Sequence, residues 1–168
     1  RSRDYEANSL VTGDAGRKPM IKDRLINGTI AGSAGAIIQN GYALLMSRLG
    51  YSGPVYIDYG KILLFYNPPQ GILPNGLGLV AHFVWDIILA VLFAYLLQKT
   101  SSRYLWLKGL IYGIAVWFFI KTGATLYKIP IIYEVRPYTV AFFLGGAILF
   151  GIIIASTLQF MEQTKLNV

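Results

Sequence analysis

His82 and Asp86 stand four residues apart in NGLGLVAHFVWDIILAVLFAYLL, a stretch that is otherwise almost wholly apolar. On a helix that spacing puts an imidazole and a carboxylate on one face, within hydrogen-bonding reach. Such a pair can handle a proton near neutral pH, with Asp86 as acceptor and His82 as relay. Lys121 lies in a second apolar stretch, and Gln39 and Asn40 in a third. If these stretches are neighbouring membrane helices, all five residues fall toward the outer half. Asp86 and Lys121 would then form an ion pair that offsets much of the cost of burying either charge. Two chemistries fit: a proton- or cation-handling site, or a satisfied polar contact that locks helix register. The second is favoured. No Asp/Glu relay crosses the apolar stretches, and the last of them has no ionisable residue in its core.

Other chemistry is restricted by composition. The chain has no Cys, so thiolate metal sites, cysteine-ligated clusters and cysteine nucleophiles are excluded. With one His, His82, a multi-histidine zinc site or bis-histidine haem within one chain is excluded too. A single axial ligand, or a pair across a symmetric dimer, stays open. No Walker-type loop, HExxH or GxSxG occurs. Ser33 and Ser156 have no evident base and read as packing residues. Asp58 and Glu134 read as solvated loop charges. No convergent nucleophile, base or metal set emerges, so the reading is non-enzymatic. No cofactor is specified; a bound pigment, quinone or lipid would leave few polar marks on an apolar bundle.

The elements that must position these residues are membrane helices. The 168 residues are 55% hydrophobic with mean hydropathy +0.51, and only 14% are charged, against about 25% in soluble domains. Spanning needs roughly 20 apolar residues. Four stretches are long enough: about 25–49, 76–97, 104–126 and 138–160. The expected fold is all-α, a four-helix antiparallel transmembrane bundle spanning residues 25–160. Residues 1–24 form an N-terminal tail and 161–168 a C-terminal one. The connection over about 50–74 is rich in Tyr and Pro; its apolar part, Ile62 to Tyr66, is too short to span and suits the interface.

Net charge is +7. Arg1, Arg3, Arg17, Lys18, Lys22, Arg24, Lys99, Arg103, Lys108 and Lys165 fall on one side. Arg48, Lys61, Lys121, Lys128 and Arg136 fall on the other. The positive-inside rule makes the first side cytoplasmic, with both termini there. This asymmetry accounts for the basic character without nucleic acid.

Small residues supply packing faces. Gly28 and Gly32 form a GxxxG that Gly35 continues; Gly109 and Gly113 form a second; Gly145 and Gly151 punctuate the last span. Such faces let helix backbones approach where lipid offers no hydrophobic drive for association. They serve either packing within the bundle, the favoured reading, or a homo-oligomer or contact with other membrane subunits. Tyr51, Tyr56, Tyr59 and Tyr66 read as an interfacial aromatic belt at the outer face, and Trp106 as its inner counterpart.

INGTIAG opening the first span, NGLGLVAHFVWDIILAVLFAYLL in the second, and LWLKGLIYGIAVWFF in the third together resemble the small YqhR-like multi-pass membrane proteins of spore-forming, Gram-positive-type bacteria. In the last segment the resemblance lies in Lys108–Gly109, Gly113 and Trp117. It implies four spans and a bacterial plasma membrane, and it brings no catalytic residue. The functional expectation is a structural or accessory subunit of a membrane assembly. The alternative is a small proton or ion channel or transporter built on His82, Asp86 and Lys121.

Overall fold

The computed structural model describes residues 23–50, 56–65, 67–99, 104–129, 132–133 and 135–166. The tail over 1–22, Tyr51, Tyr66 and Glu134 lie outside these residues. The described chain is all-helical: α1 (Arg24–Arg48), α2 (Tyr56–Leu64), α3 (Ile72–Leu96), α4 (Leu105–Leu126) and α5 (Pro137–Leu166), with a 3-10 turn at Leu97–Lys99.

Each boundary has a local cause. Asp23 caps α1, its Oδ1 accepting from the Ile26 N–H at 3.0 Å. Gly71 precedes α3 with φ +133°, a backbone conformation that side chains disfavour. Pro74 is accommodated in the first turn of α3, where no intrahelical donor is needed. Pro137 opens α5 for the same reason. Helix α3 thus starts at Ile72, four residues before the expected 76, and α5 runs six residues past 160. Most of the expected C-terminal tail, 161–168, is therefore a continuation of α5. Its Met, Glu, Gln, Lys and Leu are all good helix formers.

Among the described residues, three helices are long and apolar enough to cross a membrane: Ile72–Leu96, Leu105–Leu126 and Pro137–Gln163. Helix α1 is as long as α3, at 25 residues, but is diluted by Gly, Asn and Gln. Most of those diluting residues face inward. Asn27, Gly28, Gly32, Gly35 and Gln39 are buried, whereas Ile30, Ile37, Leu44 and Leu45 are exposed. The same inversion marks α3, where Val80, Val84, Ile88 and Leu92 form an exposed apolar stripe and His82 and Asp86 are buried. Polar inside and apolar outside is the pattern of a surface solvated by lipid.

Helix α1 packs on both α3 and α5, α2 packs on α3, and α4 packs on α5. The seams are built from glycine. A methyl group at Gly28 would stand 2.7 Å from Val91 Cα, and one at Gly32 would stand 2.7 Å from Ile87 Cα. At Gly35 it would meet the Phe150 ring at 2.7 Å, and at Gly145 the Tyr42 hydroxyl at 2.9 Å. Gly109 and Gly151 sit against each other's carbonyls, and Gly113 against that of Ala147. A further crossing joins Gly60 of α2 to Gly78 of α3, backbone to backbone. Two cores flank the middle. One holds Ala31, Ala90, Phe93, Phe150, Ile154 and Leu158. The other is aromatic: Tyr56, Phe142 and Phe143, with Tyr42, Tyr59 and Trp117 against them.

At one end the Arg24 guanidinium donates to Ala94 O at 3.1 Å. With the Gln98 amide oxygen turned toward it, it also donates there at 3.0 and 2.6 Å.

Candidate functional site

Helices α3 and α4 follow each other in sequence but seat on different partners. Helix α3 packs on α1 and α2, and α4 on α5. They touch through Tyr112, whose hydroxyl donates to Leu89 O at 2.7 Å and whose ring centre lies 4.8 Å from that of Phe93. Beyond that contact a cavity of about 330 Å³ lies between them, walled also by residues of α1, α2 and α5. Its walls include Leu89, Val116, Trp117, Phe143 and Phe150, and its polar residues include Gln39, Tyr56, His82, Asp86 and Lys121.

Four of the five expected cluster residues gather at one end of this cavity or just behind it. Asp86 is 3% exposed and its Oδ2 lies 3.1 Å from His82 Nδ1. The contact is within ion-pair distance, yet its geometry falls short of a hydrogen bond, and Oδ2 has no other partner. On the other side of the imidazole, Asn40 Nδ2 makes a long 3.5 Å contact with the same Nδ1 and donates to Ala36 O at 2.8 Å. His82 Nδ1 therefore stands between a donor and an acceptor. A neutral ring protonated on Nδ1 carries its proton on the Asp86 side without completing a hydrogen bond; one protonated on Nε2 leaves Nδ1 to accept from Asn40. Gln39 is buried beside them with its Oε1 unsatisfied.

Lys121 does not join them. Its ammonium donates to Ile132 O at 2.8 Å and Tyr133 O at 3.0 Å. The expected Asp86–Lys121 pair is replaced by a cation tethering the segment that follows α4. The cause is the seating of α4 on α5, which opens the cavity between the two charges. A long lysine stem then reaches the polar backbone at the helix end.

Two residues read as peripheral turn out to be internal. Tyr56 was expected in an interfacial belt, but it is 6% exposed, with its ring centre 4.9 Å from that of His82 and 5.2 Å from that of Phe143. Tyr59 packs on Phe143 at 4.5 Å. Burial pushes both phenols above their ordinary range. Gln39 partly opposes this at Tyr56, though the hydroxyl completes no hydrogen bond. Lys61, expected among the outer loop cations, is 1% exposed, paired with Asp58 Oδ1 at 2.8 Å and donating to Asn75 Oδ1 at 3.1 Å. Asp58, expected as a solvated loop charge, instead lies in the first turn of α2 and pairs with Lys61. The i, i+3 spacing of Asp58 and Lys61 on one short helix was the available signal for that pair. Nothing comparable marked Tyr56, since burial in α2 depends on the Gly60–Gly78 crossing.

Among the described residues, no group of three or more His, Asp or Glu side chains is placed to hold a metal ion. Comparison with protein-family models, with curated proteins and with solved structures finds no match to the chain.

Proposed function

We propose that this chain is a four-span antiparallel integral membrane protein that serves as a non-enzymatic structural or accessory subunit of a membrane assembly. The supporting observation is the lateral incompleteness of the bundle: α4 is seated along α5 and leaves an apolar, aromatic gap toward α3. A subunit that completes such a gap with a neighbour in the bilayer plane buries apolar and aromatic surface without new charges.

Helix α1 is the fourth span in this reading. Its 25 residues extend about 37 Å, enough for a hydrocarbon core of about 30 Å. Its low hydropathy comes from residues turned to protein rather than lipid. Antiparallel packing is supported by the contact pairs, which run Gly28–Val91 and Gly32–Ile87 between α1 and α3, and Gly109–Gly151 and Gly113–Ala147 between α4 and α5. The Lys and Arg distribution supports cytoplasmic termini. Kinship with the YqhR-like proteins and residence in a bacterial plasma membrane belong to the same proposal.

Native mass spectrometry after gentle extraction from the protein's own membrane tests this. A defined mass above the monomer supports a subunit, homo-oligomeric or mixed; a clean monomer in mild detergent and in lipid overturns it. The buried His82–Asp86 contact favours a second reading, a small proton or ion pathway. There Asp86→Asn abolishes flux in proteoliposomes while the fold is retained; unchanged flux removes that reading.

A further inference from the structure

We infer that the cavity between α3 and α4 is a binding site for a neutral amphiphile whose planar ring carries a hydroxyl, of the alkylphenol or quinol class. Three residues at its polar end each retain one buried polar atom without a hydrogen-bond partner: Asp86 Oδ2, Gln39 Oε1 and the Tyr56 hydroxyl. Buried polar groups are nearly always satisfied, so three orphans on residues that line one cavity mark a missing partner. The two oxygens of Asp86 and Gln39 are acceptors, and the Tyr56 hydroxyl can give or accept. A ligand hydroxyl donating to Asp86 or Gln39 answers the acceptors, while the Tyr56 hydroxyl abuts Gly146 of α5 and its ring walls the cavity. The last torsions of the Asp and Gln side chains are soft, so a small rotation turns an oxygen toward the ligand.

The rest of the cavity selects the body of the molecule. Its volume, about 330 Å³, is at the small end for a ligand site and suits a ring head with part of a tail. Trp117, Phe143 and Trp85 supply aromatic faces. Leu63, Phe119 and Tyr127 line the cavity and are also exposed on the outer surface, so it opens sideways through an apolar rim. A tail can leave there into lipid. A lipophilic cation fits less well, because Lys121 also borders the cavity. The inference goes beyond the assembly reading and stands whether or not the protein has a partner.

The test is equilibrium binding of 2-bromo-4-decylphenol to the protein in phospholipid nanodiscs near neutral pH. It is read as contact quenching of Trp85 and Trp117 by bromine. The matched control, 2-bromo-4-decylanisole, keeps size and apolarity but lacks the donor. Saturable quenching is expected, with the phenol bound about tenfold or more tightly than the anisole. Val116→Phe, which fills the cavity, should abolish saturation. Gln39→Leu and Asp86→Ala should each shrink the phenol preference, with helicity and melting checked in parallel. Non-saturable quenching by both probes, or saturable binding unaffected by Val116→Phe, overturns the site. Saturable binding without preference for the phenol overturns the ligand class and leaves a groove for a lipid tail.

Discussion

Replacing Gly32 with alanine should loosen the α1–α3 seam measurably, and the size of the effect can be worked out. The added methyl would lie 2.7 Å from Ile87 Cα and 2.9 Å from Ala90 Cβ, against about 3.5–4.0 Å for carbons in ordinary contact. The nearest obstacle is backbone, so the helices must separate by about 1 Å. A gap of that size forfeits a quarter to a half of each pair attraction. For about 30 atom pairs at about 0.15 kcal/mol each, the loss is about 1–2 kcal/mol. Alanine's better helix propensity returns about 0.8 kcal/mol, leaving a net destabilisation of about 0.2–1.2 kcal/mol. Gly41, on the same helix, has nothing within 4 Å of where its methyl would go. Gly41→Ala should therefore gain about 0.8 kcal/mol. Reversible unfolding of both variants in mixed micelles, titrated with a denaturing detergent, should place them on opposite sides of the parent protein. Equal midpoints for the two would refute the claim that backbone contact, rather than glycine content, holds this seam.

Three further outcomes are expected. Asn75→Ala removes a charged hydrogen bond from the buried Lys61 ammonium and should cost about 1.5–3 kcal/mol in the same assay. Lys61→Met, which removes the cation itself, should cost less, because Asp58 can hydrate. The Tyr56 and Tyr59 phenols, raised by burial above their ordinary value of 10.0, hold their protons more tightly folded than unfolded. Their contribution is intact below the unfolded value and is lost as pH rises through the folded one. Unfolding midpoints measured upward from neutral pH should fall in the alkaline range, and Tyr56→Phe should flatten that fall. Lys121→Met should free the segment after α4 without melting the bundle. Hydrogen exchange should then quicken by about tenfold at the Ile132 and Tyr133 amides, which bond to Ile129 O in the parent structure.

The long helices were legible because a membrane helix is written in length and apolarity, and both are local properties. The pairing of His82 with Asp86 was legible for the same reason, since a spacing of four on one helix needs no tertiary knowledge. Lys121 was misplaced because its position depends on which helix α4 chooses. Gly109 and Gly113 suit any small-residue partner, and the chain's choice of Ala147 and Gly151 is a tertiary fact. Tyr56 was read as an interfacial aromatic and Lys61 as an outer-side cation, which are the usual places of Tyr and Lys near a bilayer. Their burial follows from α2 lying in backbone contact with α3 at Gly60 and Gly78, two glycines whose partnership no local pattern announces. The cavity was invisible for a related reason: it is a gap between helices adjacent in sequence that pack elsewhere.

The inverted face of α1 bears on how the protein is made. Its buried side carries Asn27, Gly28, Gly32, Gly35 and Gln39, and the surfaces that cover them belong to α3 and α5, both synthesised later. In the proposed four-span arrangement, a newly made α1 therefore meets the bilayer with side-chain amides that lipid cannot satisfy and a small-residue face that no helix yet fills. Gly35 finds its cover, Phe150 and Ile154, only in the last helix. Order of synthesis and order of assembly thus differ: α1 is made before α3 and α5 but completed only with them. Until α5 arrives, the nascent chain displays the kind of unsatisfied surface that insertion chaperones shield and membrane proteases recognise.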